Sequence, residues 1–240
     1  MGNAADFIAE EYEVTREAMD RFAVESHQKA TAAIQNGKFK NEIVPVEVPG
    51  RKGAVTIFDT DEGPRGDASL EGMAKLRPVF NKDGRTTAGN ASSLNDGAAA
   101  AVIASRAYAE AHGLKPLARV VAYGQAALEP KYLFAAPAKA MPKVLAKAGW
   151  TLADVDLIEL NEAFAAQCLA NGYELAGQGW DWDKVNVNGG GIALGHPIGA
   201  SGSRILATLI YALKDRGLKR GLASLCLGGG EAVAMAVELE

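Results

Sequence analysis

The spacing of apolar positions changes several times along this chain. Met19, Phe22, Ala23, Ala30, Ala33 and Ile34 recur at helical spacing, with Thr15 as a candidate N-cap and Gly37 as a stop. Two period-2 runs follow, near Ile43–Val48 and Ala54–Phe58, parted by the turn signal Pro49-Gly50. Residues 59–79 read as loop-rich and surface-lying, with a short helical piece over Leu70–Leu76. Ala98–His112 reads as a strand or buried helix start running into helix, ended by Gly113. Beyond it the spacing predicts strands at Leu117–Tyr123, Val155–Leu160, Val185–Asn188, Leu222–Leu227 and Ala232–Glu238. Helices are predicted over Pro137–Ala148, Asn161–Ala176 and Ser201–Arg216. Strands alternating with helices predict an α/β layer with helices on the sheet.

Composition narrows the class. The chain has 240 residues, 48% hydrophobic and 22% charged, which suits a globular protein with a sizeable core. A net charge of −4 and the lack of a basic run argue against nucleic acid as a partner. Two cysteines far apart, with no CxxC, point to a reducing compartment and thus to the cytoplasm. Met1-Gly-Asn-Ala-Ala-Asp carries neither a basic nor an apolar region of the secretory kind. No apolar run reaches the ~18 residues of a membrane span.

The residues fit for chemistry sit at strand ends. His196, one of three histidines, lies in Asn188–Gly202, a stretch with six glycines. Cys226, one of two cysteines, opens Cys226-Leu-Gly-Gly-Gly230. Asn161-Glu-Ala-Phe164 follows the strand Val155–Leu160. In α/β sheets, ligands bind beyond the carboxyl ends of strands, so these residues are placed to converge. Glycine lets backbone amides approach a ligand, histidine titrates near neutrality, and cysteine supplies a thiolate. Taken singly, each has a plain structural reading: Asn161 as a helix N-cap, Cys226 as a small buried hydrophobe, His196 as a hydrogen-bonded loop residue. The glycines match no P-loop, no GxGxxG and no GxSxG elbow. No paired ligands at zinc spacing accompany His196 or Cys226, so no metal site is expected.

Together these residues resemble the thiolase family, the acyl-CoA C-acyltransferases. Asn161-Glu-Ala-Phe164 resembles its NEAF motif, Gly195-His-Pro197 its GHP motif and Cys226-Leu-Gly-Gly-Gly230 its CxGGG motif. Ala88-Gly-Asn-Ala-Ser92, Met1-Gly2 and Ala74–Phe80 resemble its loop-domain and CoA-side segments, so the likeness runs the length of the chain. It implies a layered α-β-α core domain with a loop domain and an incomplete N-terminal core domain. Residues 1–85 would be the loop domain, 86–115 a remnant of the N-terminal core domain and 116–240 the C-terminal core domain.

The resemblance also implies roles. His196 would activate a nucleophilic cysteine and bind the thioester oxygen of the second substrate. Asn161 would hold a water completing that oxyanion site. Cys226 would be the acid/base of the Claisen step, its pKa lowered by nearby donors and His196. The Gly228 amide would join a second oxyanion hole. Ser92, Phe80 and Ala88 would lie along the CoA channel, with Met1 and Phe164 at the acyl end. Coenzyme A and acyl-CoA would be substrates, with no permanent cofactor, in fatty acid metabolism.

The family's nucleophilic cysteine has no counterpart here. Cys168 falls within a predicted helix and reads as structural. The expectation is a C-terminal portion of a thiolase, either one half of a split enzyme or a fragment or cleavage product, inactive alone and completed by the missing segment or by a complementary N-terminal chain within a homo- or hetero-oligomer. Two alternatives stand beside it. One is a non-catalytic CoA-binding or assembly subunit. The other is a hydrolase using Cys226 as nucleophile, His196 as base and Asn161 as orienter.

Overall fold

A computed structural model describes all residues 1–240. Its centre is a four-stranded sheet of β3 (Ala118–Ala127), β4 (Leu157–Leu160), β5 (Arg220–Leu227) and β6 (Glu231–Leu239). The order is β3-β6-β5-β4; β4 and β5 run parallel and the other pairs antiparallel. The hairpin β1 (Val46–Pro49) and β2 (Val55–Phe58) stands apart from it.

Alternation along the strands divides the core in two. Ile158 and Leu160 of β4, Leu222 of β5 and Ala232, Ala234 and Ala236 of β6 face one side. There they pack on helix α5 (Pro137–Ala148) through Met141, Val144 and Leu145. Leu157, Ala223 and Val237 face the other side, against Ile205, Leu209 and Leu213 of helix α8 (Ser201–Arg216). The result is the layered α-β-α arrangement expected, with period-2 strands between period-3.6 helices. Gly149 and Gly217 end the two helices in the left-handed region, as stop signals should.

The first eighty residues wrap one edge of these layers. α1 (Gly2–Glu11) precedes α2 (Arg16–Gln35), whose start is capped where expected: Thr15 Oγ1 accepts the Ala18 amide at 3.1 Å. α3 is short (Leu70–Ala74). α2 packs through Met19, Ala23 and Val24 against Ala165, Ala166 and Leu169 of α6 (Ala165–Leu175). No helix is long and apolar enough to cross a membrane.

Four local expectations need correction. Helix α6 begins at Ala165, capped by Phe164, so Asn161 is not its N-cap. Asn161–Phe164 runs extended because the Asn161 amide continues the sheet ladder to the Ser224 carbonyl at 3.0 Å. Val185–Asn188 makes only isolated bridges, Val185 to Ile158 and Val187 to Gly189, since the Asn186 side chain takes up the Leu160 backbone groups. β3 extends to Ala127 because β6 pairs with it along its whole length.

The fourth concerns Ala98–His112. Only α4 (Arg106–Ala111) is helical, and residues 98–105 form no element. Val102 is 95% exposed and Ile103 73%, so an apolar run read as buried lies open. Neither the four-stranded sheet nor the β1–β2 hairpin covers it. Sheet and α8, by contrast, interlock, and truncating Leu209 to Ala should cost about 2–5 kcal/mol of stability. Urea unfolding of the variant measures it.

Candidate functional site

β4 and β5 are parallel, so their carboxyl ends lie side by side, with Leu160 opposite Ser224. Asn161 follows the first strand and Cys226 lies two residues beyond Ser224 on the second. Cys226 is half-buried against the cluster holding Ala163 and Phe164. His196 arrives from the glycine loop, which includes the short helix α7 (Gly191–Leu194) and leads into α8. Gly195, at φ 92°, turns the chain there, and a Cβ would stand 2.3 Å from Asn95 Oδ1. The His196 amide donates to the Ser93 carbonyl at 3.2 Å.

The imidazole has two different neighbours. Nδ1 is 2.6 Å from Ser201 Oγ, in the first turn of α8. That hydroxyl donates its own proton to the Pro197 carbonyl at 3.0 Å, so it receives the proton of Nδ1. Nε2 is left as an acceptor, facing Asn161 Nδ2 at 3.4 Å. Burial first, and the charge of Arg204 second, lower the His196 pKa from the ordinary imidazole value. His196 is therefore a neutral base whose free lone pair looks into the site. The hydrolase alternative needs Asn161 to orient the histidine from the Nδ1 side; Ser201 occupies that side.

Glu162 and the glycines explain the shape of the loop. Glu162 is 1% exposed, yet its carboxylate accepts from Ser26 Oγ (2.6 Å), Asn186 Nδ2 (2.9 Å) and the Ile192 amide (3.1 Å). The Gly190 amide donates to Ser26 Oγ at 3.1 Å. A Cβ on Gly190 would lie 2.4 Å from the carboxylate carbon. Burial raises the Glu162 carboxyl, and these bonds oppose the rise.

Cys226 departs from expectation. Its thiol pKa is not lowered but pushed up to about 12 by burial, with only a backbone hydrogen bond acting against it. No cationic partner stands against the sulfur, so at neutral pH the group is a thiol. Cys168 is fully buried in α6, its Sγ 3.8 Å from the Asn161 carbonyl, and burial raises its thiol as well.

The remaining candidates fall into two groups. Met1, Phe80, Phe164 and Gly228 gather: Phe80 and Phe164 meet edge-to-face at 6.4 Å, Phe80 lies over Gly2, and a Cβ on Gly228 would stand 3.6 Å from the Met1 methyl. Ser92 is tied to the motif itself, its Oγ and amide both donating to the Ala163 carbonyl at 3.0 and 3.1 Å. Ala88 is exposed in a turn and touches none of these groups through a hydrogen bond. Ser201, Ser26 and Asn186 were missed as site residues. Only the five-residue spacing from His196 marks Ser201; Ser26 and Asn186 carry no local signal.

With this geometry in view, known proteins place the chain. Residues 1–107 match the family described as "Thiolase, N-terminal domain" and residues 114–239 that described as "Thiolase, C-terminal domain". The acetyl-CoA acetyltransferase of Pseudomonas aeruginosa is 56% identical over 235 residues, covering 98% of this chain and 59% of that protein. That of Allochromatium vinosum is 53% identical over 238 residues, covering 99% and 60%. The solved Bacillus anthracis acetyl-CoA acetyltransferase superposes with a TM-score of 0.96 at 50% identity, over all of this chain and 60% of that one. Human mitochondrial 3-ketoacyl-CoA thiolase gives 0.90 at 39% identity, over 99% and 59%. The layered fold and strand-end site are those of an α/β protein of the thiolase type. The chain belongs to the thiolase family, and it spans about 60% of the length of the curated relatives it matches.

A base held neutral by burial makes stability depend on pH with a definite sign. The unfolded chain binds a proton near pH 6.5 that folded His196 resists, so this contribution is present above about pH 6.5 and lost as pH falls. H196Q removes that loss. The stability advantage of the native chain over H196Q should shrink between about pH 7.5 and 5.5, read by urea unfolding at both.

Proposed function

We propose that this chain is the C-terminal part of an acyl-CoA C-acyltransferase, catalysing Claisen condensation or thiolysis of 3-ketoacyl-CoA. It would be competent only with a segment or partner chain that supplies a nucleophilic cysteine. The observation that carries the reading is the His196 imidazole, its Nδ1 proton spent on Ser201 and its Nε2 lone pair facing Asn161. The closeness of the acetyl-CoA acetyltransferases among its relatives supports the substrate class.

In the first half-reaction, His196 Nε2 accepts the proton of the supplied thiol. The thiolate attacks an acyl-CoA carbonyl, and the oxyanion is met by backbone amides including that of Gly228. Collapse expels CoA thiolate, leaving the acyl group on the cysteine. In the second, Cys226 exchanges the proton at the α-carbon of another acyl-CoA, whose enolate oxygen is held by His196 and a water on Asn161. The Asn161 Oδ1 atom is buried without a protein partner, an acceptor left unmet at this end of the sheet. The carbanion attacks the acyl-cysteine, releasing the thiol. Preorganised oxyanion donors contribute about 3–4 kcal/mol each in such steps.

A thiol poised at about 12 is the proton-bearing form, so Cys226 would begin as acid. It gives that proton to the departing CoA thiolate, and the Cys226 thiolate left behind is the base that takes the α-proton in the second half-reaction. Met1, Phe80 and Phe164 would border the acyl end, and Ser92 and Ala88 the pantetheine side. We further infer that residues 1–85 act as the loop domain, 86–115 as part of the N-terminal core and 116–240 as the C-terminal core. Assembly as an oligomer in the cytoplasm fits this reading. The open apolar run at 98–104 supports a covering chain, because no backbone group there has a hydrogen-bond partner and a strand can pair with it.

Two measurements test this. The chain alone should not cleave acetoacetyl-CoA at enzyme rates. Mixed with the N-terminal portion of a homologous acetyltransferase, it should do so, and C226S should lower that rate about 10²–10⁴-fold. A rate unchanged by C226S would favour a non-catalytic CoA-binding subunit. Amide hydrogen exchange gives a second readout: residues 98–104 should exchange freely in the chain alone and gain protection in the mixture, whereas β5 and β6 stay protected in both.

A further inference from the structure

Two residues outside the site as read so far sit on the elements that carry it. Arg204 lies in α8, three residues past Ser201, and Glu159 lies in β4, two residues before Asn161. Arg204 Nη1 stands 3.6 Å from Glu159 Oε2. Glu159 is 2% exposed, and neither its two oxygens nor the terminal nitrogens of Arg204 has a hydrogen-bond partner elsewhere. A pair this deep is poor evidence of stability, because desolvation offsets much of the attraction. What it supplies is a point of contact between two elements, α8 and β4.

The charges around the pair come from four places. Glu42 follows α2, and its Oε1 accepts from Thr208 Oγ1, one turn beyond Arg204, at 3.1 Å. Asp61 follows β2. Lys29 reaches in from α2, and Glu162 stands at the end of β4. Burial raises the carboxyls of Glu42, Asp61, Glu159 and Glu162, and Arg204 draws each of them back down. Arg204 is thus the one guanidinium among four carboxyls, and His196 lies within its field.

We propose that Arg204 and Glu159 are positioning residues for His196 and Asn161, the pair holding the first turn of α8 to the end of β4 and so setting the approach of imidazole to amide. This rests on the reading of His196 as the proton acceptor. The geometry carries it: Ser201, which fixes Nδ1, and Asn161, which faces Nε2, are each within three residues of one member of the pair. Arg204 also acts through its charge. A fixed cation disfavours a second one nearby, so it works with burial to keep the imidazole neutral.

The test uses the whole purified 240-residue chain and needs no turnover, so its failure is distinct from failure of the acyl-transfer reading. R204Q removes the charge; R204K keeps it but loses the planar fork. Side-chain NMR follows the titration of His196, identified by its loss in H196Q, and the amide of Asn161. R204Q is expected to raise the His196 titration midpoint above that of the native chain, while R204K leaves it near the native value. Both are expected to shift the Asn161 side-chain amide signals. An R204Q midpoint equal to the native one overturns the electrostatic part. Unchanged His196 and Asn161 signals in R204K overturn the positioning role, and R204K decides the matter if R204Q does not fold. In the completed enzyme, R204K should lower kcat with KM little changed.

Discussion

Glu162 is a carboxylate that the fold must bury and therefore must satisfy. A buried carboxylate left unpartnered carries a penalty of several kcal/mol. Here a hydroxyl from α2, an amide side chain from the stretch after α6 and a backbone amide of the glycine loop converge on it. Each donor comes from a different part of the chain. Meeting this one requirement fixes α2 against the core, draws the glycine loop over the end of β4 and sets the direction from which His196 enters. Gly190 is glycine because the carboxylate leaves no room for a Cβ.

The site is then a matter of which atom faces which. Ser201 spends its own proton on Pro197 and so settles the histidine tautomer, leaving Nε2 open toward Asn161. The logic is that of an oriented base, with the orienting group on the helix that follows the histidine rather than on a distant strand. Arg204 and Glu159 extend it one layer outward, toward the charges of the segments after α2 and β2.

The two cysteines show how far environment outweighs residue type. Both are held as thiols, Cys168 wholly buried inside α6 and Cys226 half-buried at a strand end where its neighbours are apolar. The presence of a cysteine in a glycine-rich turn suggested a thiolate. The missing ingredient is a cation or a convergent set of donors, and neither stands against this sulfur.

Much was legible along the chain because it depends on neighbours in sequence. The amphipathic repeat with Thr15 at its head and Gly37 at its end gave α2, and the strand signals at 222–227 and 232–238 gave β5 and β6. The motifs at Asn161, His196 and Cys226 were legible as chemistry, since their residue types and glycine settings are local. Tertiary structure decided what depends on distant partners. It made Asn161 extended rather than a cap, because Ser224 of β5 takes its amide. It left 98–105 exposed, because an apolar run is buried only if another surface covers it. It chose the tautomer of His196 and the protonation of Cys226, because both follow from groups brought together by folding and not from the order of residues.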